Sequence, residues 1–245
     1  MCSSDLGARL LGDGQSGRMT SGPFLPARDL PAPDRTVFPL LRYTHAGSRP
    51  GRVSAALETS RGCSLACTFC PVPARYGGTC RVRETAAVLD EMARLRRDYG
   101  IDSFVIEDEQ PLLDRPAFEA LLAGIRNRLP GVELSFPNGL RPDLLDRDLI
   151  EAMAASGTRR VALGIESPSA AVRERIGRPV DDRHLDDLLD AMRRQGMVTT
   201  GYYMAGLPEA DATEPIALLG ALPDPRLDYV HVSVYWPWQI GRAHV

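Results

Sequence analysis

From residue 53 onward the chain alternates between short β-rich runs and longer stretches whose apolar residues recur at helical spacing. "VSAALETS" (53–60) reads as a strand. "RETAAVLDEMARLRRDYG" (83–100) has apolar residues at 88, 89, 92, 95 and 99, a helical stripe that stops at Gly100. A β-rich run ending in acids follows, "IDSFVIEDE" (101–109), then a helix over 114–131 with Asp114 as its cap and a Pro-Gly stop. "VELSFPNGL" (132–140) reads as a strand and 146–157 as a helix stopped by Gly157. "RRVALGIES" (159–167) reads as a strand, followed by helices over 167–177 and 181–196, the second capped by Asp181 or Asp182. "MVTTGYYMAGLP" (197–208) is a strand, 210–222 a weak helix broken near Pro215, and "LDYVHVSVYWP" (227–237) a strand.

Six strands with helices between them imply right-handed crossovers and a parallel sheet. Six such units in one domain favour an α/β fold of the open (β/α)6 partial-barrel kind over a doubly wound sheet. The loops after the strands' C-terminal ends should then carry the site. "EDE", "PNG", "IES" and "GLP" all fall there.

The rest of the chain reads differently. Residues 7–50 are rich in Gly, Pro and Arg and lack either period, as a linker would. The two ends, "MCSSDL" and "IGRAHV", can be encoded by one DNA sequence in opposite orientations, the pattern of a sequencing-library adapter. Residues 1–6 and 240–245 are therefore expected to be artefacts, and 51–239 the core domain, truncated at its C-terminus.

With 245 residues, 44% hydrophobic and 25% charged, the chain suits a soluble globular protein. A net charge of -3 without a basic run gives a nucleic-acid partner no electrostatic support. No apolar run approaches the roughly 20 residues of a membrane span, and no signal peptide is visible, so the cytoplasm is the expected compartment. Thiols stay reduced there.

Against that background, three of the five cysteines lie within eight residues, in "ETSRGCSLACTFCP" (58–71). Cys63, Cys67 and Cys70 are spaced Cys-x3-Cys-x2-Cys directly after the first strand. Three thiolates on a short loop can bind three corners of an iron–sulfur cubane and leave one iron open. Structural zinc would need a fourth ligand. Cys80 is the nearest one, and no histidine lies between 46 and 183.

This loop, with Phe69 before its last cysteine, resembles the signature of the radical S-adenosylmethionine (SAM) superfamily. "FVIEDE", "PNGLRPDLLD", "RRVALGIES" and "GYYMAGLP" follow in order and resemble its cobalamin-binding group, over about residues 30–238. The resemblance implies a [4Fe-4S] cluster on Cys63, Cys67 and Cys70, with SAM chelated to the open iron. One electron then cleaves the sulfonium C–S bond, and the radical formed acts on an unactivated carbon. In methylating members cobalamin takes part. It would come from a domain upstream of the linker in the full-length protein.

The resemblance further assigns Phe69 to the adenine, Asp108 or Glu109 to the SAM ammonium, and Arg178 to its carboxylate. Glu166 and Ser167 would meet the ribose or the amino-acid moiety, and Asn138 is a further contact. A small-molecule substrate and an electron donor such as flavodoxin or ferredoxin are the implied partners. The "GLPEAD" turn departs from the family's more usual Gly-Leu-Pro-Gly-Glu-Thr. The alternatives are a non-catalytic iron–sulfur or zinc module, and a non-cobalamin relative such as a methylthiotransferase.

Overall fold

A computed structural model describes residues 52–210 and 224–235, with Leu218, Gly220 and short pieces at 26, 33–37 and 39–42. The helix expected over 210–222 lies mostly outside the described residues, as do both adapter-like ends.

Six parallel strands form the main sheet. They are β1 (Ala55–Leu57), β4 (Ser103–Ile106), β5 (Glu133–Leu140), β6 (Thr158–Glu166), β7 (Val198–Ala205) and β8 (Tyr229–Val234). Their order in the sheet is their order in the chain. Each crossover therefore advances in one direction, and crossovers of one hand keep the helices on one face. That is the winding of a barrel, since a doubly wound sheet reverses its order part-way. Among the described residues β1 and β8 are not paired, so the barrel is partial and open, as expected.

The helices form where the apolar stripe predicts them. Helix α2 (Thr85–Tyr99) buries Val88, Leu89, Met92 and Leu95 and ends at Gly100, whose φ of 66° suits glycine. Helix α3 (Arg115–Arg128) starts at Asp114, whose carboxylate accepts from Ala117 N at 3.0 Å. Helix α4 (Arg147–Ala155) is capped by Asp146, and α6 (Asp182–Arg194) by Asp181 accepting from His184 N at 2.7 Å. The short α5 (Ala170–Arg175) follows β6. These helices and the sheet enclose one core, with Phe104, Leu134, Leu163, Met92 and Ile150 fully buried. No helix among the described residues is long and apolar enough to cross a membrane.

The structure departs from the sequence expectation in two places. The strand expected over 53–60 is two strands. After β1 the chain turns into β2 (Ser60–Arg61), which pairs antiparallel with β3 (Arg81–Val82). Two-residue strands are too short to leave a period-2 signal. This ribbon clamps the cysteine loop at its base, with the one-turn helix α1 (Val72–Arg75) inside the loop. Gly62 opens the loop at φ 89°, and a Cβ there would lie 2.3 Å from the carbonyl oxygen of Thr79. Part of the stretch read as linker packs on the domain: Arg35 donates to Ala56 O at 2.8 Å and pairs with the buried Glu91 of α2 at 3.0 Å.

Candidate functional site

The cysteine loop sits after β1, at the same end of the sheet as the last residues of β4, β5 and β6. Cys63, Cys67 and Cys70 are free thiols. Burial pushes Cys63 and Cys70 up from the ordinary thiol value, and the charge of Cys67 adds to this in both. Arg178 pulls the other way in both, and Arg141 in Cys63. The three are thus electrostatic neighbours. Among the described residues no three Cys, His, Asp or Glu side chains are gathered as a preformed metal-binding group. The loop offers close thiols rather than a closed claw. Soft thiols beside two guanidinium groups remain a donor set that fits a cluster of thiolate ligands.

The loop is fastened by the acids that end β4. Asp108 is 2% exposed. One of its oxygens accepts from Thr59 N and the other from the Thr59 and Ser60 hydroxyls, all at 2.6 Å. Burial nevertheless wins over these bonds and pushes its carboxyl from 3.8 up to about 6. Both oxygens are thereby engaged with the strand that enters the loop. Glu109 accepts from Gly62 N at 2.9 Å, at the loop's first turn. Asn138, at the end of β5, donates to Glu107 at 3.1 Å.

Opposite the thiols, β6 ends on Glu166. Its φ is 68°, in the left-handed region, unlike that of any other non-glycine described residue. Such a backbone costs about 1–3 kcal/mol and clusters at functional sites. Burial pushes the Glu166 carboxyl up, against the pull of Arg178 and then Arg141. Arg178 Nη2 lies 3.3 Å from Glu166 Oε1, and its Nη1 donates to Gly164 O at 3.0 Å. The guanidinium also lies 5.4 Å from the centre of the Phe69 ring. Three sequence-predicted residues, from the cysteine loop, β6 and the turn after α5, therefore form one group. Arg178 Nε is buried without a hydrogen-bond partner. A buried unpaired N–H is costly, so this atom fits an incoming anion.

Ser167 follows Glu166 directly. It is fully buried, and its hydroxyl accepts from Ser169 N at 3.1 Å inside the turn before α5. Toward the barrel interior lie two adjoining hollows of about 290 and 370 Å³ that share Pro137, Asn138 and Tyr202. Glu107 and Arg160 line the first, and Glu166 and His231 the second.

The radical SAM superfamily profile matches residues 57–219, which is most of the chain. The chain belongs to the radical SAM superfamily. Among similar proteins is the cytidylyl-2-hydroxyethylphosphonate methyltransferase of Streptomyces wedmorensis, 35% identical over 68% of this chain. An uncharacterized methyltransferase of Pyrococcus horikoshii is 25% identical over 86% of it. The chain spans only 30% and 44% of these two relatives. Among solved structures, a radical SAM methyltransferase from Kitasatospora setae, with cobalamin and a [4Fe-4S] cluster bound, superposes with a TM-score of 0.66. That match has 23% identity and covers 73% of this chain and 34% of the other, and it shows the shared fold.

Two arginines of this radical SAM chain escaped the sequence reading. Arg141, at the end of β5, is 3% exposed and donates to Cys67 Sγ at 3.1 Å. Arg173, in α5, is 1% exposed and donates to the carbonyl oxygens of Ser167, Pro168 and Val180, fixing the turn that carries Arg178. An arginine with such partners looks in sequence like any of the chain's 29 basic residues.

Proposed function

We propose that residues 51–239 are the core of a cobalamin-assisted radical SAM methyltransferase acting on a small molecule. The observation that carries this is the meeting of the cysteine loop with the Arg178–Glu166 pair through Phe69. A thiol set on its own would suit a bare iron–sulfur or zinc module. A guanidinium with an open donor beside a buried carboxylate suits a ligand carrying both a carboxylate and hydroxyl groups.

Cys63, Cys67 and Cys70 would hold the [4Fe-4S] cluster, whose bound form supplies the single electron for cleavage of the SAM sulfonium bond. Arg178 Nε would take the SAM carboxylate, and Glu166 would accept from the ribose hydroxyls. Phe69 would lie against the adenine. Glu109 would offer its charge to the ammonium, with Asp108 holding Thr59 and Ser60 so that the loop stays in register. Asn138 orients Glu107 at the edge of the interior hollow, and Ser167 braces the turn behind Glu166. The hollow would receive the substrate. Cobalamin would be held by a part of the protein outside this core, for which the relatives' greater length leaves room. The electron would come from a flavodoxin- or ferredoxin-type donor.

The methyltransferase names of the two relatives favour methyl transfer within the superfamily's chemistry. Anaerobic reconstitution tests the metal reading. Iron and sulfide should load in the unsubstituted chain and in Cys80→Ala, and fail to load in Cys70→Ala. Zinc in place of iron, lost with Cys80→Ala, would refute it.

A further inference from the structure

We propose that Arg141 is a positioning residue that raises the reduction potential of the cluster, by aiming one N–H of its guanidinium at the sulfur of Cys67. The proposal rests on the reading of Cys63, Cys67 and Cys70 as cluster ligands.

Arg141 sits where β5 passes into a short 3-10 turn, Pro142–Leu144, and its carbonyl accepts from Leu144 N at 3.2 Å. That turn brings Asp143 back over the Arg141 side chain. Asp143 accepts from Nε at 2.8 Å and from Nη2 at 2.6 Å, a planar fork. The fork fixes the guanidinium plane and leaves Nη1 facing Cys67 Sγ at 3.1 Å. A lysine could not make this arrangement, because its ammonium lacks the planar set of donors.

A charge buried this deeply is retained at a cost unless its partners repay it. Asp143 repays most of it, so the pair is close to neutral at a distance. At the sulfur it is not neutral, because the N–H points inward and the carboxylate lies behind. Hydrogen bonds to the sulfurs are among the factors that set the potential of an iron–sulfur cluster. Gaining an electron places more negative charge on the ligating thiolates. A fixed N–H therefore stabilises the reduced cluster more than the oxidised one. Arg178 also places its charge near Cys63 and Cys70, but its N–H groups go to Gly164 O and Glu166. Of the two arginines, Arg141 is the one that gives a hydrogen bond to a cysteine sulfur.

The test is an electron paramagnetic resonance redox titration of the full chain, reconstituted with iron and sulfide, without SAM. Dithionite supplies one electron per cluster, taking [4Fe-4S]2+ to [4Fe-4S]+ with no bond made or broken in the protein. Arg141→Gln should lower the ratio of reduced to oxidised cluster about tenfold at a given potential. That corresponds to a midpoint about 59 mV more negative for a one-electron couple. Arg141→Lys, which keeps the charge and loses the fork, should fall between. Equal iron content with an unmoved midpoint in Arg141→Gln would overturn the proposal. Failure of both variants to hold iron would also overturn it, since Arg141 would then only anchor the loop. Absence of a cluster from the unsubstituted chain would instead refute the cluster reading itself, and this proposal with it.

Discussion

Replacing Asp108 by asparagine should stabilise the chain at neutral pH, although it removes a carboxylate that accepts three hydrogen bonds. The reason is the direction of its pKa. Burial moves the carboxyl from 3.8 to about 6 despite bonds from Thr59 and Ser60. The folded state therefore binds the proton more tightly than the unfolded one. Stability from this group is fully present below pH 3.8 and is lost as pH rises through about 6. At 1.36 kcal/mol per pH unit, the ionised form costs about 3 kcal/mol at pH 7. Asparagine keeps an acceptor for Thr59 N, and the two hydroxyls can rotate to accept from its amide. Its stability lacks the titration. Urea unfolding of the parent and Asp108→Asn across pH 4–7.5 isolates the group, because other carboxylates cancel in the difference. Relative to the variant, the parent should lose about 2 kcal/mol between pH 4 and 7, because the unfolded carboxyl is already more than half ionised at pH 4. A parent that gains on the variant as pH rises would refute the reasoning, and would mean that the three donors outweigh burial.

Two glycines give sharper tests of geometry. A Cβ on Gly164 would lie 2.3 Å from Arg178 Nη1 and 2.8 Å from Glu166 Oε1. Gly164→Ala should therefore displace the pair and weaken SAM binding about tenfold, roughly 1.4 kcal/mol by calorimetry, with iron content unchanged. Gly62→Ala combines a φ of 89° with the clash at Thr79 O. It should cost about 1–3 kcal/mol in urea unfolding and lower iron loading, because that turn opens the cysteine loop.

The barrel was legible in the sequence because its signals are local. Each strand and helix carries its own period, and Asp114 and Asp181 announce the helix starts they cap. The cysteine spacing and the β6 terminus "GIES" are local signals too, and they mark the candidate site. What stayed hidden depends on partners distant in sequence. The acids "EDE" look alike in the chain, yet Asp108 turns back on Thr59, 49 residues earlier, while Glu107 meets Asn138, 31 residues later. Arg141 reaches Cys67 across 74 residues, and nothing in the composition near either residue records that contact. The β2–β3 ribbon is hidden for a third reason, its two-residue length.

The central claim is that the thiols of Cys63, Cys67 and Cys70 and the Phe69–Arg178–Glu166 group serve one ligand pair, a cluster and SAM. The most direct measurement is titration of the reduced, reconstituted chain with SAM, followed by electron paramagnetic resonance. In the unsubstituted chain SAM should change the cluster signal saturably. In Glu166→Ala the same change should need about 10- to 150-fold more SAM, matching 1.5–3 kcal/mol for a hydrogen bond to a charged group, while the iron content holds. A cluster signal that SAM leaves unaltered, or a Glu166→Ala curve that overlays the parent's, would contradict the account.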